Sequence, residues 1–247
     1  MSAATPAKAP FIRVATSNDL NELAHMNQKA FISSAPQTFF SGATRPFTED
    51  KRTRDNQIIY LKYLIRKSWN LNARITVVVV VDEAGKERIA ASTIWHPPKA
   101  PNSSKSPSTL RDLQMGLFSV VLHWGFGVIG RVSEMSTANK SSLANAYKAR
   151  KLPGTPNDSW YLQLAGVDPA YQKRGFMSML LREAFEHAPG AIFTLEANTP
   201  ASRDVYERFG FEVIEEVIVA KGKVDARGVA TTGNGATGFP MYPMIKI

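Results

Sequence analysis

The stretch Val167-Asp168-Pro169-Ala170-Tyr171-Gln172-Lys173-Arg174-Gly175-Phe176-Met177 gathers residue types suited to holding an anion. An apolar run ends at the turn signal Asp168-Pro169, a basic loop containing Gly175 follows, and a helix is predicted from Phe176. The first amides of a helix have no intrahelical acceptor, and the helix dipole adds roughly half a positive charge at that end. Lys173 and Arg174 supply full charges, while Gly175 lets the backbone approach a ligand closely. This arrangement points to a cradle for a phosphorylated ligand. The plainer alternative is an ordinary strand–turn–helix with a glycine at the helix start.

Other chemistries are excluded by composition. The 247 residues include no cysteine, so a thiol nucleophile, a disulfide scaffold and a cysteine-ligated metal are ruled out. His25, His96, His123 and His187 lie far apart and none has HExxH spacing, so no metal is expected. The formal net charge of +9 suits a polyanionic partner or simply aids solubility. There is no aromatic-plus-basic pattern and no helix-turn-helix signature, so no nucleic acid partner is expected. Ile75–Val81 and Gly116–Gly130 are too short to cross a bilayer, and Met1–Pro10 has no apolar core of a secretion signal. The expectation is a cytoplasmic protein with no membrane partner.

The elements that must position the cradle follow from periodicity and punctuation. Strands are predicted at Phe11–Ala15, Arg74–Val81, Arg88–Trp95, Trp160–Val167, Ala191–Ala197, Phe211–Ala220 and Phe239–Ile247. Helices are predicted from Ser17 to Ala30, from Thr48 through Ile65, over Phe176–Ala188 and from Pro200 to Phe209, the last closed by Gly210. Phe31–Pro46 reads as irregular and aromatic. Residues 97–158 differ in character: a Pro-rich linker over 97–107, then helix-prone sequence with Gly125, Gly127 and Gly130 as breaks. The reading is a flexible tail over 1–10 and one domain over 11–247 with a helical insertion at 97–158. Its fold class is α/β, a mixed central sheet of about six to seven strands flanked by helices.

Two motifs in order sharpen this. The loop from Val167 through Gln172 and Gly175 resembles motif A of the GNAT N-acetyltransferase superfamily, although Met177 stands where a small residue is usual. Leu195-Glu196-Ala197-Asn198 followed by Val205-Tyr206-Glu207-Arg208-Phe209-Gly210-Phe211 resembles its motif B. Trp95 and Trp160-Tyr161-Leu162 resemble features of its small-molecule branch, and the order of elements matches from about residue 11 to the end.

The resemblance implies acetyl transfer from acetyl-CoA to the amine of a small molecule by direct attack, with strands 160–167 and 191–197 splayed around the pantetheine arm. On that basis Leu164, Ala165, Gly166 and Val167 bind pantetheine and polarise the acetyl carbonyl. Gln172, Lys173, Arg174, Gly175, Phe176 and Met177 hold the pyrophosphate, and Asn198 lines the arm. Tyr206 is the candidate acid for the leaving thiolate. Glu196 is a candidate base beside His96 and Glu134, with a water-mediated route the leading expectation. Gln163, Trp95 and His96 are expected at the acceptor. The insertion could form part of the acceptor pocket, cover it, or serve a homodimer interface. A protein N-terminal or lysine acetyltransferase, and a catalytically silent acyl-CoA binder, are the alternative readings.

Overall fold

The computed structural model describes residues 9–82, 84–99 and 109–247. Residues 1–8 of the expected tail and 100–107 of the expected linker lie outside them. The strands are β1 (Phe11–Val14), β2 (Arg74–Val81), β3 (Glu87–His96), β4 (Trp160–Val167), β5 (Phe193–Ala197), β6 (Glu212–Val213), β7 (Val217–Val219) and β8 (Phe239–Lys246). They form one sheet in the order β1-β2-β3-β4-β5-β8-β6, with β7 also paired to β8. Every pairing is antiparallel except β4 with β5. The β-branched run of β2 is buried from Ile75 to Val80 because helices cover both faces of the sheet.

One face carries α1 (Leu20–Ala30), α3 (Lys51–Asn70) and the inserted helices α4 (Thr109–Met115), α5 (Leu117–Trp124) and α6 (Gly127–Ala149). Val120, Trp124 and Val128 of the insertion join the same hydrophobic cluster as Leu23, Leu61 and Ile94. Trp124 stacks on Tyr60 of α3 with ring centroids 4.7 Å apart. The other face carries α7 (Phe176–His187) and α8 (Pro200–Glu207), which pack on Leu162, Phe193 and Leu195.

Three expectations are corrected. Phe31–Pro46 is not irregular throughout: α2 (Ala35–Ser41) forms behind the cap residue Ser34 and buries Phe39 and Phe40. Gly127 and Gly130 do not break the insertion; the breaks are Gly116 and Gly125, both at positive φ. Gly127 instead makes room for Arg131, since a Cβ there would lie 2.5 Å from Nη1. The Arg131 guanidinium then donates to the carbonyls of Phe40 (2.8 and 2.9 Å) and Trp124 (3.2 Å), tying α2 and α5 to α6.

Phe211–Ala220 is the third correction. It divides into β6 and β7, which raises the count to eight strands. Val213 pairs Met244 and the Ile214 amide bonds Pro243, whereas Val217 pairs Met241. Glu215 and Glu216 therefore both face Tyr242, and this two-against-one bulge interrupts the ladder.

Candidate active site

β4 and β5 pair only at Trp160–Phe193, Tyr161–Thr194 and Leu162–Leu195, although both strands continue beyond. The cause lies on the other side of β4. Ile94 of β3 pairs Leu164 while Trp95 pairs Leu162, so Gln163 is an extra residue and β4 bends at that point. From Leu164 to Val167 the strand is paired with β3 on one edge, and its second edge has no strand partner. A strand edge free inside a sheet is a template for an extended ligand.

At the end of β4 the chain turns through the buried Asp168, which accepts from the Ala170 amide (3.0 Å) and pairs with Lys29 of α1 (2.9 Å). Lys173 and Gly175 both adopt the left-handed conformation, at φ 63° and 79°. None of the amides from Gln172 to Met177 donates to a carbonyl of the described residues. A Cβ built on Gly175 meets no atom within 4 Å, so the space before α7 is open. Unpaired amides, open space and two adjacent cations fit a pyrophosphate. Met177 turns toward the core that includes Trp95 and Leu181, so its bulk is taken up away from the loop.

Beyond β5, Thr199 caps α8 by accepting from the Ser202 amide, and Pro200 occupies the first turn. Half-buried Asn198 stands at this junction. Tyr206 is buried on α8, edge-on to Phe211 at 5.8 Å. Burial pushes its phenol above the usual range. Among the described residues it has no hydrogen-bond partner.

Glu196 lies on the opposite face of β5. Tyr161 is opposite Thr194, and Glu196 is two residues further on, so both side chains share a face. The Tyr161 hydroxyl donates to Glu196 Oε2 at 2.6 Å. Burial raises the Glu196 carboxyl to about 7, against the lowering effects of the Tyr161 hydrogen bond and the Lys140 charge. Tyr161 is pushed up by burial and by Glu196. His96 on β3 is opposite Tyr161, with ring centroids 6.4 Å apart. Burial, helped by Lys67 and Lys99, lowers it to about 4, so it is neutral at physiological pH.

Residues 142–214, which contain β4, the loop, α7, β5 and α8, match the family model described as an acetyltransferase (GNAT) domain. Over that stretch the chain resembles the GNAT acetyltransferases. It is 39% identical over 64 residues to the N-alpha-acetyltransferase RimI of Mycobacterium tuberculosis, a match covering 25% of this chain and 40% of that protein. Among solved structures, the histone acetyltransferase HPA2 and related acetyltransferase from Corynebacterium glutamicum is 18% identical, with a TM-score of 0.57 and 97% and 96% of the two chains covered. Arylalkylamine N-acetyltransferase 2 from Aedes aegypti is 14% identical, with a TM-score of 0.57 and 97% and 99% covered. At these identities the likeness to the solved structures is one of fold.

Not every expected residue reaches the free edge of β4. Trp95 does not: it is fully buried on the α7 face, edge-on to Phe193 at 5.3 Å, because the alternation of β3 puts it on the side opposite Ile94 and His96. Gly166 faces α1, where a Cβ would lie 2.8 Å from Asn27 Oδ1, so its contribution to that edge is confined to its backbone. Half-buried Gln163 is at the bulge itself. Glu134 is held by Lys223 at 2.9 Å on the surface. His123 is exposed and bonds the Ser119 carbonyl. Tyr161 escaped the sequence reading; strand parity would have exposed it once the parallel register with β5 was known. No group of three metal-ligating side chains occurs among the described residues.

Proposed function

We propose that the protein transfers the acetyl group of acetyl-CoA to the amine of a small molecule by direct attack. The observation that carries this reading is the unpaired edge of β4, set between the amide-rich loop and two proton-handling groups on opposite faces of the sheet. Acetyl-CoA supplies an activated thioester. The amides of Gln172 to Met177, with Lys173 and Arg174, hold its pyrophosphate, and the free edge from Leu164 to Val167 bonds the pantetheine arm. Backbone donors on that edge polarise the acetyl carbonyl. Asn198 and the start of α8 line the arm.

Glu196 takes the proton released by the attacking amine, and Tyr161 holds its carboxylate in place. Tyr206 gives its phenolic proton to the sulfur as the carbon–sulfur bond breaks and the carbon–nitrogen bond forms. The absence of cysteine leaves no route through an acetyl-cysteine.

A small acceptor is favoured because Glu196 and Tyr161 are half-buried, with Lys140 of the inserted α6 near enough for its charge to act on Glu196, and the Aedes aegypti enzyme is named for arylalkylamines. The RimI likeness favours a second reading, acetylation of a protein N-terminus. Thiol release from acetyl-CoA across a panel of small amines and N-terminal peptides separates them. Turnover of small amines supports the first reading and turnover of peptides alone the second. Tight acyl-CoA binding without turnover of either would overturn both.

A further inference from the structure

Large exposed apolar side chains crowd one corner of the insertion. Leu110, Leu113, Phe118, Leu122, Phe126 and Ile129 are all 43–84% exposed. Phe118 and Leu122 are one turn apart on α5, and Phe126, the most exposed, sits between Gly125 and Gly127 where α5 gives way to α6. The inner side of α5 is also apolar, with Val120 and Trp124 in the core. Apart from Ser119 and His123, α5 is apolar; a helix this apolar belongs in a core or in lipid, and this one has Phe118 and Leu122 in solvent.

The charge pattern says what covers it. From Leu117 to Ser133 the only fully charged side chain is Arg131, and its guanidinium is turned inward onto the Phe40 and Trp124 carbonyls. Cations border the patch: Arg111 on α4, Arg66 of α3 against the Met115 carbonyl at 3.4 Å, and Lys62 one turn before it. Among the described residues none of these three has an ion-pair partner. The carboxylate of α4, Asp112, is buried and paired with Lys67. Two copies meeting here would press like charges together, which argues against a homodimer.

We propose that the α4–α5–α6 corner attaches to the surface of an anionic lipid bilayer, with Phe126 and Leu122 entering the headgroup boundary and Lys62, Arg66 and Arg111 facing the lipid phosphates. No described helix is long and apolar enough to cross a membrane, so the contact is with one leaflet. The sequence reading of no membrane partner weighed spanning segments, which a surface contact does not need. The proposal is independent of the acetyl-transfer reading.

The test is co-sedimentation of the full chain with vesicles of phosphatidylcholine alone and of phosphatidylcholine mixed with phosphatidylserine. Binding is expected on the anionic vesicles only and should weaken with salt. The double substitution Leu122→Ser, Phe126→Ser should lower partitioning by about tenfold or more, and Arg66→Gln or Arg111→Gln by roughly fivefold each. These side chains are exposed, and an unchanged circular dichroism melt checks that the variants fold. Equal binding to neutral vesicles, undiminished binding of the double variant, or no binding at all overturns the proposal. So does a concentration-dependent dimer in sedimentation velocity that the same substitutions dissolve in place of vesicle binding.

Discussion

The Tyr161 phenol on β4 donates a 2.6 Å hydrogen bond to Glu196 on β5, beside the last rung at which the two parallel strands are paired. The bond links the two strands just where their pairing ends. It fixes the carboxylate and favours the ionised form against the burial that raises Glu196 to about 7.

If Glu196 is the base, kcat/KM rises with pH through about 7 and then levels. Glu196→Gln should flatten that limb and lower the plateau by about 10²-fold. Tyr161→Phe removes a bond that favours the carboxylate, so the limb should move to higher pH. An unchanged profile in Glu196→Gln would return the proton to the water route.

Stability should report the same groups with opposite signs. Glu196 is raised from 4.5 to about 7, so its contribution is full below 4.5 and is lost as pH rises through 7. His96 is lowered from 6.5 to about 4, so its contribution is full above 6.5 and is lost as pH falls toward 4. Each is worth on the order of 3 kcal/mol. Relative to wild type, Glu196→Gln should gain melting temperature above pH 7, and His96→Asn should gain it below pH 5. Parallel melting curves for all three proteins across that range would contradict the assignment.

Tyr206→Phe keeps the packing against Phe211 and deletes only the hydroxyl. Turnover should fall by about 10²-fold, a typical contribution of a positioned acid, while CoA binding measured by calorimetry stays unchanged. Full activity in this variant sinks the role of Tyr206 as acid.

Lys173 holds a left-handed conformation at φ 63°, which costs a non-glycine residue roughly 1 kcal/mol. Lys173→Gly relieves that strain and removes a cation beside the unpaired amides. The variant should be equally or more stable in urea yet bind CoA several-fold more weakly, with a shallower salt dependence. Weaker folding together with unchanged CoA affinity would show that the loop is built for structure alone.

Gly166→Ala places a methyl group 2.8 Å from Asn27 Oδ1 and 3.0 Å from the Phe31 ring. Helix α1 must then move from β4, straining the 3.1 Å bond between Asn27 and Ser92. A loss of about 1–3 kcal/mol is expected, visible as a lower denaturant midpoint.

Much of this molecule is legible locally. Arg74–Val81 and Trp160–Val167 are strands with the bounds their patterns suggest, and Thr199-Pro200 begins its helix as written. The anion cradle is equally local, because a strand end, a glycine and a helix start are adjacent in sequence. α2 was less visible: its aromatic residues match no clear period, and burial of Phe39 and Phe40 holds it in place.

What sequence alone determined, then, are the elements, their caps and the loop amides, since each depends on neighbours within a turn or two. Tertiary structure decided which side chains meet. The bulge at Gln163 arises from a slip against β3; it turned Leu162 and Leu164, two residues apart, to opposite faces and bent β4 where its pairing with β5 ends. The parallel register of β4 on β5 placed Tyr161 against Glu196, on the face opposite Tyr206. Register is a relation between segments distant along the chain, and a shift of one residue would have turned each of these side chains to the other side.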